Sequence, residues 1–340
     1  MRAQIFYGPG DLRYEEIPIP EPGPGEVLLR IEAALTCGTD VKTLRRGHPV
    51  MIPKLPTVFG HELAGTIVVL GPTVEGVRVG QRAVAANSAP CGACAYCARG
   101  RENLCDDLLF VNGAYAEYIA LPARVVARNL VTVPDHVPAA RVAFAEPVAC
   151  CLHAIDRAGL EPGDAVAVFG HGPLGLLLGL LAQAGGARVI LAGKAGPRLA
   201  VAARLGFAAC LDVAGTRDPV GAIRVAAGGG VRCAIEATGR PEAWEQAVAV
   251  ADRGGTVVFF GGCAPGTRIQ LDTRRVHYEE LRLLGAFHHT PALIRRAVWL
   301  LAEDRLDPGA LLTHEMGLAD VPDALGLMSR GEALKVLIRP

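Results

Sequence analysis

The feature that most constrains the fold is a glycine-rich turn in the middle of the chain. The apolar run 165–169 (Ala-Val-Ala-Val-Phe) leads directly into residues 170–175 (Gly-His-Gly-Pro-Leu-Gly). A strand that runs into such a turn and then into a helix opens a βαβ unit, whose next strand lies parallel to the first. The pattern therefore predicts a helix over 173–184 and a parallel sheet.

Each glycine of this turn has a separate physical role. Gly170 allows the tight turn, Gly172 lets the backbone approach a pyrophosphate, and Gly175 lets helix and strand pack closely. Pro173 and Leu174 begin the helix, where free N–H groups and the helix dipole attract phosphate. In this context the turn predicts a dinucleotide site, and the alternative is a tight turn that binds nothing.

The domain organisation follows from a change of pattern near Glu146. The chain has 340 residues, which suits two domains. Over 148–284, apolar strands alternate with alanine-rich helices, which predicts a doubly wound parallel sheet and so an α/β fold. Short strands interrupted by Pro and Gly predict an antiparallel, partly barrel-like β domain. We assign 1–147 and 285–340 to it, because we expect the strand-like tail to return there.

The charge and hydropathy of the chain argue against several classes of binding partner. The 34 basic and 34 acidic residues balance to zero, which argues against nucleic acid or an anionic membrane as the main partner. No run of about twenty apolar residues would span a bilayer. The segment that follows Met1 lacks the apolar core of a signal peptide. We expect a cytoplasmic protein that acts on a small molecule.

Four of the ten cysteines lie within fifteen residues. Their thiolates can enclose one zinc ion tetrahedrally and leave no open position, so we expect a structural zinc that orders a lobe of about 88–108. An iron–sulfur cluster also takes four thiolates, but such a run usually continues with Pro, and Asp106 stands here. Reduced cysteines without a metal are the other alternative. The four residues are Cys91, Cys94, Cys97 and Cys105.

A second candidate metal set is spread along the chain. Cys37, His61, Glu62 and Glu146 offer a thiolate, an imidazole and two carboxylates. Such a mixed set can hold a catalytic zinc and still leave one position for water or substrate. Each residue is ordinary by itself, and sequence spacing does not show that they converge.

The end of the second predicted strand bears on which nicotinamide cofactor binds. An NAD site normally places Asp or Glu there to bind the ribose 2′-OH, but this chain has Gly193. Gly193 leaves room for a 2′-phosphate, and Lys194 with Arg198 can pair with it. We therefore favour NADP over NAD. The alternative is a solvated loop with two ordinary basic residues.

Taken together, these motifs resemble those of the zinc-containing medium-chain dehydrogenases, over essentially the whole chain. The polyol (sorbitol) and threonine dehydrogenases are the branch that they resemble most. The resemblance implies a GroES-like catalytic domain, a Rossmann domain, and a homodimer or homotetramer. The matching segments are Cys37-Gly38-Thr39-Asp40, Gly60-His61-Glu62, the four-cysteine lobe, Glu146-Pro147 and 170–175.

The resemblance also implies roles for single residues. Cys37, His61 and Glu62 would bind the catalytic zinc, with Glu146 as a fourth or exchanging ligand. The hydroxyl of Thr39 would take the substrate proton, and Asp40 would orient His61. These roles imply hydride transfer between a polyol or secondary alcohol and NAD(P), with two zinc ions per chain.

The chain also departs from the family. Many relatives carry a histidine a few residues after the ligating cysteine, where Lys42 and Thr43 stand here. The resemblance then implies that the proton leaves through ribose hydroxyls and water. The basic stretch 42–48 fits either a phosphorylated or acidic substrate or a solvated helix face. Two other functions stay open: oxidation of an amino alcohol, as in threonine 3-dehydrogenase, and nucleotide binding without catalysis.

Overall fold

The computed structural model describes all 340 residues, Met1–Pro340. The chain forms two compact units, one of Met1–Ala149 with His289–Pro340 and the other of Cys150–His288. The boundaries expected from the sequence lie between 147 and 148 and between 284 and 285.

Strands outnumber helices in the first 149 residues. The strands are β1 (Arg2–Gly8), β2 (Asp11–Glu16), β3 (Val27–Leu35), β4 (Thr57–Val58), β5 (Glu62–Leu70), β6 (Arg82–Ala85), β7 (Ser88–Ala89), β8 (Leu109–Phe110), β9 (Tyr118–Leu121) and β10 (Leu130–Val133). The helices are α1 (Gly38–Arg46), α2 (Ala95–Ala98), α3 (Ala123–Asn129), α4 (Ala139–Val142) and α5 (Ala145–Ala158), the last of which continues into the second unit.

Strands and helices alternate in the following stretch, and the chain then returns to the first unit. The alternating stretch contains β11 (Ala165–Phe169), α6 (Pro173–Ala184), β12 (Arg188–Gly193), α7 (Pro197–Ala203), β13 (Ala209–Asp212), α8 (Pro219–Ala227), β14 (Val231–Glu236), α9 (Pro241–Val250), β15 (Ala251–Phe259), α10 (Thr273–Tyr278) and β16 (Arg282–Gly285). The tail contains α11 (Pro291–Ala302), β17 (Leu312–Gly317), α12 (Val321–Arg330) and β18 (Lys335–Arg339).

The first unit is built on a seven-stranded sheet. Its order is β10-β6-β5-β3-β18-β17, and β9 also pairs with β3. All pairings are antiparallel except that of β17 with β18. Strand β18, in the tail, lies beside β3 and pairs with it. Short sheets β2-β1-β4 and β7-β8 complete the unit.

The second unit is a six-stranded parallel sheet of order β13-β12-β11-β14-β15-β16. The predicted α/β class and the doubly wound sheet are confirmed. The helix predicted over 173–184 is α6. The central strand of the sheet, β11, is buried along most of its length, as expected for a sheet covered on both faces. The strand order reverses between β12 and β14 on either side of β11, which in such sheets marks the ligand crevice at the carboxyl ends.

Two short strands of this sheet, β13 and β16, were not predicted, because four residues carry too little periodicity to identify a strand. No helix in the chain is both long enough and apolar enough to cross a membrane.

Close approach of β3 and β5 depends on one glycine. A Cβ placed on Gly65 would lie 2.0 Å from the carbonyl oxygen of Arg30 and 2.9 Å from the Cα of Ile31. Both of these are backbone atoms of β3, so a side chain at position 65 can be accommodated only if the strands separate.

We expect Gly65→Ala to lower the midpoint of thermal unfolding of the first unit. Overpacking of this kind costs about 1–3 kcal/mol. Gly215→Ala is the matched control, because a Cβ at Gly215 meets nothing within 4 Å. Calorimetric midpoints that are equal for the two variants would contradict the close approach.

Candidate active site

The first of the candidate metal ligands is positioned by the end of β3. Cys37 follows that strand and is the N-cap of α1. The amide of Cys37 donates to Oδ2 of Asp40 at 2.9 Å, and the amide of Thr39 donates to the Cys37 sulfur at 3.4 Å. This reciprocal cap holds the buried sulfur in place because its partners lie within one helical turn.

The imidazole and carboxylate are brought to the same place by β5. In the sheet, Glu62 pairs with Leu35, two residues before Cys37. Gly60 allows the entry into β5, because its φ is +87° and a Cβ there would lie 2.7 Å from the ring of Tyr115. The ligand atoms of Cys37, His61 and Glu62 all lie within 4.8 Å of one another. The structure thus brings together three residues that sequence spacing left separate.

Asp40 links this set to the surrounding chain. Its Oδ1 lies 2.9 Å from Nδ1 of His61, and its Oδ2 accepts a hydrogen bond of 2.6 Å from the hydroxyl of Tyr115. With Nδ1 donating to the carboxylate, Nε2 of His61 keeps its lone pair for a metal. Burial alone would raise the pKa of Asp40, but His61 and the hydrogen bonds to the carboxylate hold it below its usual value.

The same carboxylate acts on the imidazole. Burial lowers the pKa of His61, but the charge of Asp40 and the hydrogen bonds to Asp40 and Cys37 together outweigh burial, and the net shift is strongly upward. An imidazole that keeps its positive charge is a poor metal ligand, so a bound cation would have to displace that proton.

Lys335 was not predicted from the sequence, although it contacts Glu62 of this set directly. The side chains of Lys335 and Glu62 are 1% and 0% exposed and form an ion pair. Lys335 also donates to the carbonyl oxygen of Thr36 at 2.9 Å. The only available signal was a lysine that begins an apolar, strand-like tail.

The carboxylate of Glu62 is held by only one of its two oxygens. Lys335 binds Oε2, whereas the buried Oε1 has no hydrogen-bond partner. Burial, only partly offset by Lys335, raises the pKa of Glu62 to about 7, and the charge of Glu146 adds to the increase. A buried oxygen without a partner is costly, and a cation beside it would remove that cost. The donor set therefore fits a zinc ion with one open position.

The other predicted residues of this site are near but less tightly placed. Glu146 lies in the first turn of α5, is 9% exposed, and raises the pKa of both Glu62 and Lys335 through its charge. Glu146 does not belong to the group formed by Cys37, His61 and Glu62, but its ligand atom lies within 4.8 Å of that of His289. Thr39, in the first turn of α1, is half-buried.

The residues of the basic stretch 42–48, which include the positions of the absent histidine, differ in exposure. Lys42, Arg45 and Arg46 are exposed on α1, as expected of a solvated helix face, and Thr43 is buried. His289, to which no role was assigned, is 2% exposed, and its Nε2 lies 3.0 Å from Oδ1 of Asn87.

The four-cysteine lobe converges on a single point. All four sulfur atoms lie within 4.8 Å of one another, and none is in a disulfide. Hydrogen bonds from backbone amides lower the pKa of Cys94 to about 6, while burial raises the pKa of Cys97 to about 12. Four sulfurs this close cannot all be thiolates unless a cation compensates their charge. The lobe therefore fits a structural zinc.

In the second unit, the glycine-rich turn has the geometry of a phosphate cradle. Gly170 has a φ of +116°, and a Cβ at Gly175 would lie 2.0 Å from the carbonyl oxygen of Gly170. Gly172 has open space beside it and is the N-cap of α6, with no side chain capping the helix. Pro173 begins the helix and has no N–H, so the amide of Leu174 is the first in this turn that can donate to a pyrophosphate.

A cavity of about 410 Å³ opens at the carboxyl ends of β11 and β12. Gly193 and Lys194 line it, whereas Arg198 does not. The room expected beside Gly193 is filled in the Cβ direction, since a Cβ there would lie 2.5 Å from Nδ1 of His171. Polar residues that the sequence analysis missed also line the cavity: His171, Thr216, Thr238, Arg240, Glu242 and Gln246.

Known proteins share both units. Residues 23–135 match the family described as alcohol dehydrogenase GroES-like domain, and residues 173–303 match the family described as zinc-binding dehydrogenase. The sorbitol dehydrogenase of Bacillus subtilis is 29% identical over 100% of this chain and 97% of its own. The L-threonine 3-dehydrogenase of Chelativorans sp. is 32% identical over 99% of this chain and 98% of its own.

Solved structures give the same result. A zinc-binding dehydrogenase from Sinorhizobium meliloti 1021, bound to NADP, has a TM-score of 0.90 and 32% identity to this chain. The match covers 100% of this chain and 99% of the other.

We expect Asp40→Asn to weaken zinc binding at the Cys37 set by about 10–100-fold, since the partner that orients a ligating histidine contributes that much to affinity. Tyr115→Phe is the matched control, because it removes one hydrogen bond from Asp40 and leaves the contact with His61. Zinc retained against a competing chelator, with the lobe zinc as internal reference, measures the difference. Equal losses in the two variants would argue against an orienting role for Asp40.

Proposed function

The chain belongs to the zinc-containing medium-chain alcohol dehydrogenase family, and on that basis we propose that it oxidises a polyol or secondary alcohol to the ketone or aldehyde, with NADP as the hydride acceptor. The observation that carries the proposal is the convergence of Cys37, His61 and Glu62 within 4.8 Å, with one buried oxygen of Glu62 left without a partner. The sorbitol dehydrogenase relative supports a polyol as substrate.

We propose two zinc ions per chain. One would be held by the four cysteines of the lobe, which leave no open position. The other would be held by Cys37 and His61 with a carboxylate. Because Lys335 holds Oε2 of Glu62, this carboxylate is either Oε1 of Glu62 or Glu146, and the two would exchange.

The residues of the chain then divide the chemistry among them. Bound zinc supplies Lewis acidity that lowers the pKa of an alcohol, and the nicotinamide supplies the hydride acceptor. Asp40 keeps the hydrogen of His61 on Nδ1 and so fixes the ring. Thr39 accepts the proton of the substrate hydroxyl and passes it on to water. Lys42 is exposed and Thr43 is buried, so neither replaces the absent histidine as an internal relay.

The preference for NADP is supported by charge at the cavity beside β12. Lys194 and Arg240 both line it, and Gly193 provides no carboxylate to repel a phosphate. Glu242 also lines the cavity, but Arg240 lies 3.6 Å from it and offsets its charge. The zinc-binding dehydrogenase of Sinorhizobium meliloti 1021 was solved with NADP, which supports the same choice.

One other reaction of the same class has a specific observation in its favour. The L-threonine 3-dehydrogenase of Chelativorans sp. is 32% identical to this chain, so oxidation of an amino alcohol is the second candidate. A panel of polyols, sugar phosphates, secondary alcohols and L-threonine, each assayed with NADP and with NAD, separates the two. A protein that binds nucleotide without catalysis would hold zinc in the lobe alone.

For the assembly we propose a homodimer or homotetramer. Strand β16 is the last strand of the six-stranded sheet, and its outer edge has no partner strand within the protomer. Such an edge can be extended by the same strand of a second copy. Light scattering coupled to gel filtration tests this.

We expect Cys37→Ser to reduce turnover by ~10³-fold or more, because several kcal/mol of charge stabilisation is lost with the metal. Binding of NADPH, followed by its fluorescence, should change little. Cys210→Ser, in β13 of the other unit, is the control and should keep full turnover. Undiminished turnover in Cys37→Ser would exclude the proposed catalytic site.

We expect Lys194→Ala to weaken binding of NADPH by about tenfold and to leave binding of NADH unchanged, because an exposed lysine contributes a single charge-assisted contact to a 2′-phosphate. Arg204→Ala removes a charge from the end of α7 outside the cavity and is the control. Fluorescence titration with both cofactors measures the two dissociation constants. A matching loss for NADH would count against a phosphate contact.

A further inference from the structure

The imidazole of His171 fills the place where a side chain at position 193 would stand. His171 is the second residue of the glycine-rich turn, and Gly193 ends β12. A Cβ on Gly193 would lie 2.5 Å from Nδ1, 2.6 Å from Cγ and 3.0 Å from Cβ of His171. Real Cβ atoms do not come this close to ring atoms, so the two positions cannot both carry a side chain in this arrangement.

Hydrogen bonds tie the backbone on both sides of this contact, so the clash is relieved only if the ring of His171 rotates away. Phe169 pairs with Ala192 in the parallel ladder of β11 and β12. The amide of Gly170 donates to the carbonyl of Ala192 at 2.8 Å, and the amide of Val213 donates to the carbonyl of Gly193 at 2.9 Å. Only the side chain of His171 is able to move away.

A hydrogen bond to the ring also selects one tautomer of the neutral imidazole. The amide of Lys194 donates to Nδ1 of His171 at 3.4 Å, so a neutral ring carries its hydrogen on Nε2. Burial, and then the charge of Arg198, lower the pKa of His171, while Asp212 opposes them. The ring lines the same cavity as Lys194 and Arg240, on the side where β12 ends.

We propose that His171 and Gly193 together determine cofactor selectivity: the imidazole excludes the carboxylate that an NAD site places at the end of β12, and its Nε2–H donates to a 2′-phosphate. This inference rests on the proposed use of NADP. Its consequence is that an acid at position 193 must displace the ring of His171 before it can bind a ribose, whereas a chain with a small residue at position 171 can accept the acid directly.

Calorimetric binding of adenosine 2′,5′-bisphosphate and of AMP tests both halves without any catalytic readout. His171→Ala should weaken binding of the bisphosphate about tenfold and leave binding of AMP unchanged, because a hydrogen bond to a charged group is lost. Gly193→Asp should weaken both ligands at least tenfold. The double variant H171A/G193D should regain binding of AMP but not of the bisphosphate.

The steric half has its own control without added charge. Gly193→Ala should weaken binding of AMP, and H171A/G193A should restore that binding, because the two variants differ in whether the ring of His171 clashes with the Cβ of position 193. Losses that simply add in the double variants would overturn the steric coupling. This pair of variants also decides the question if Gly193→Asp does not fold.

Failure of this inference is distinct from failure of the proposed cofactor. If the wild-type protein binds AMP and the bisphosphate equally, the preference for NADP is wrong. Recovery of AMP binding in the double variants would still test the steric coupling of His171 and position 193. Wild-type protein that prefers the bisphosphate, with His171→Ala unchanged, would overturn the donor role of His171 and leave the preference for NADP standing.

Discussion

The candidate active site depends on one point in the main sheet, where Leu35 pairs with Glu62 on one side and with Leu337 on the other. Backbone hydrogen bonds set this register, and a shift by one residue would turn every side chain of a strand to the opposite face. Because β3 ends at this point, Cys37 begins α1 beside His61 and Glu62. The strand that carries Lys335 arrives here from the far end of the chain. The pairing of three strands therefore brings the candidate ligands together.

Buried charge is the second organising principle of the first unit. The Asp40 carboxylate and the Glu62–Lys335 pair are almost completely removed from solvent. Such groups rarely stabilise a protein by themselves, because desolvation offsets most of their attraction. Their arrangement makes sense as preparation for a cation: Asp40 sets the tautomer of His61, and Lys335 leaves one oxygen of Glu62 available. In the lobe, four sulfurs at close range create the same demand for a positive ion.

Much of the architecture was predictable, because it rests on local patterns. The change of pattern near Glu146, the helix over 173–184 and the parallel sheet follow from periodicity and from the glycine-rich turn. Four cysteines within fifteen residues are close enough along the chain for one short loop to bring them together. Tyr115, Lys335 and His171 escaped prediction, since nothing in their neighbourhoods in sequence distinguishes a tyrosine that holds Asp40, or a lysine that pairs with Glu62, from ordinary residues of a strand or loop.

The sequence by itself determined the fold class, the phosphate cradle and the cysteine lobe, because each depends on residues close together in the chain. Tertiary structure alone decided that Cys37 and His61 meet, since their approach depends on the register of β3 and β5. It also decided that Lys335 occupies one oxygen of Glu62. At the cofactor cavity the sequence indicated room beside Gly193, and only the packing of two parallel strands shows that the ring of His171 fills it. Contacts of this kind arise between segments whose separation along the chain carries no information about their distance in space.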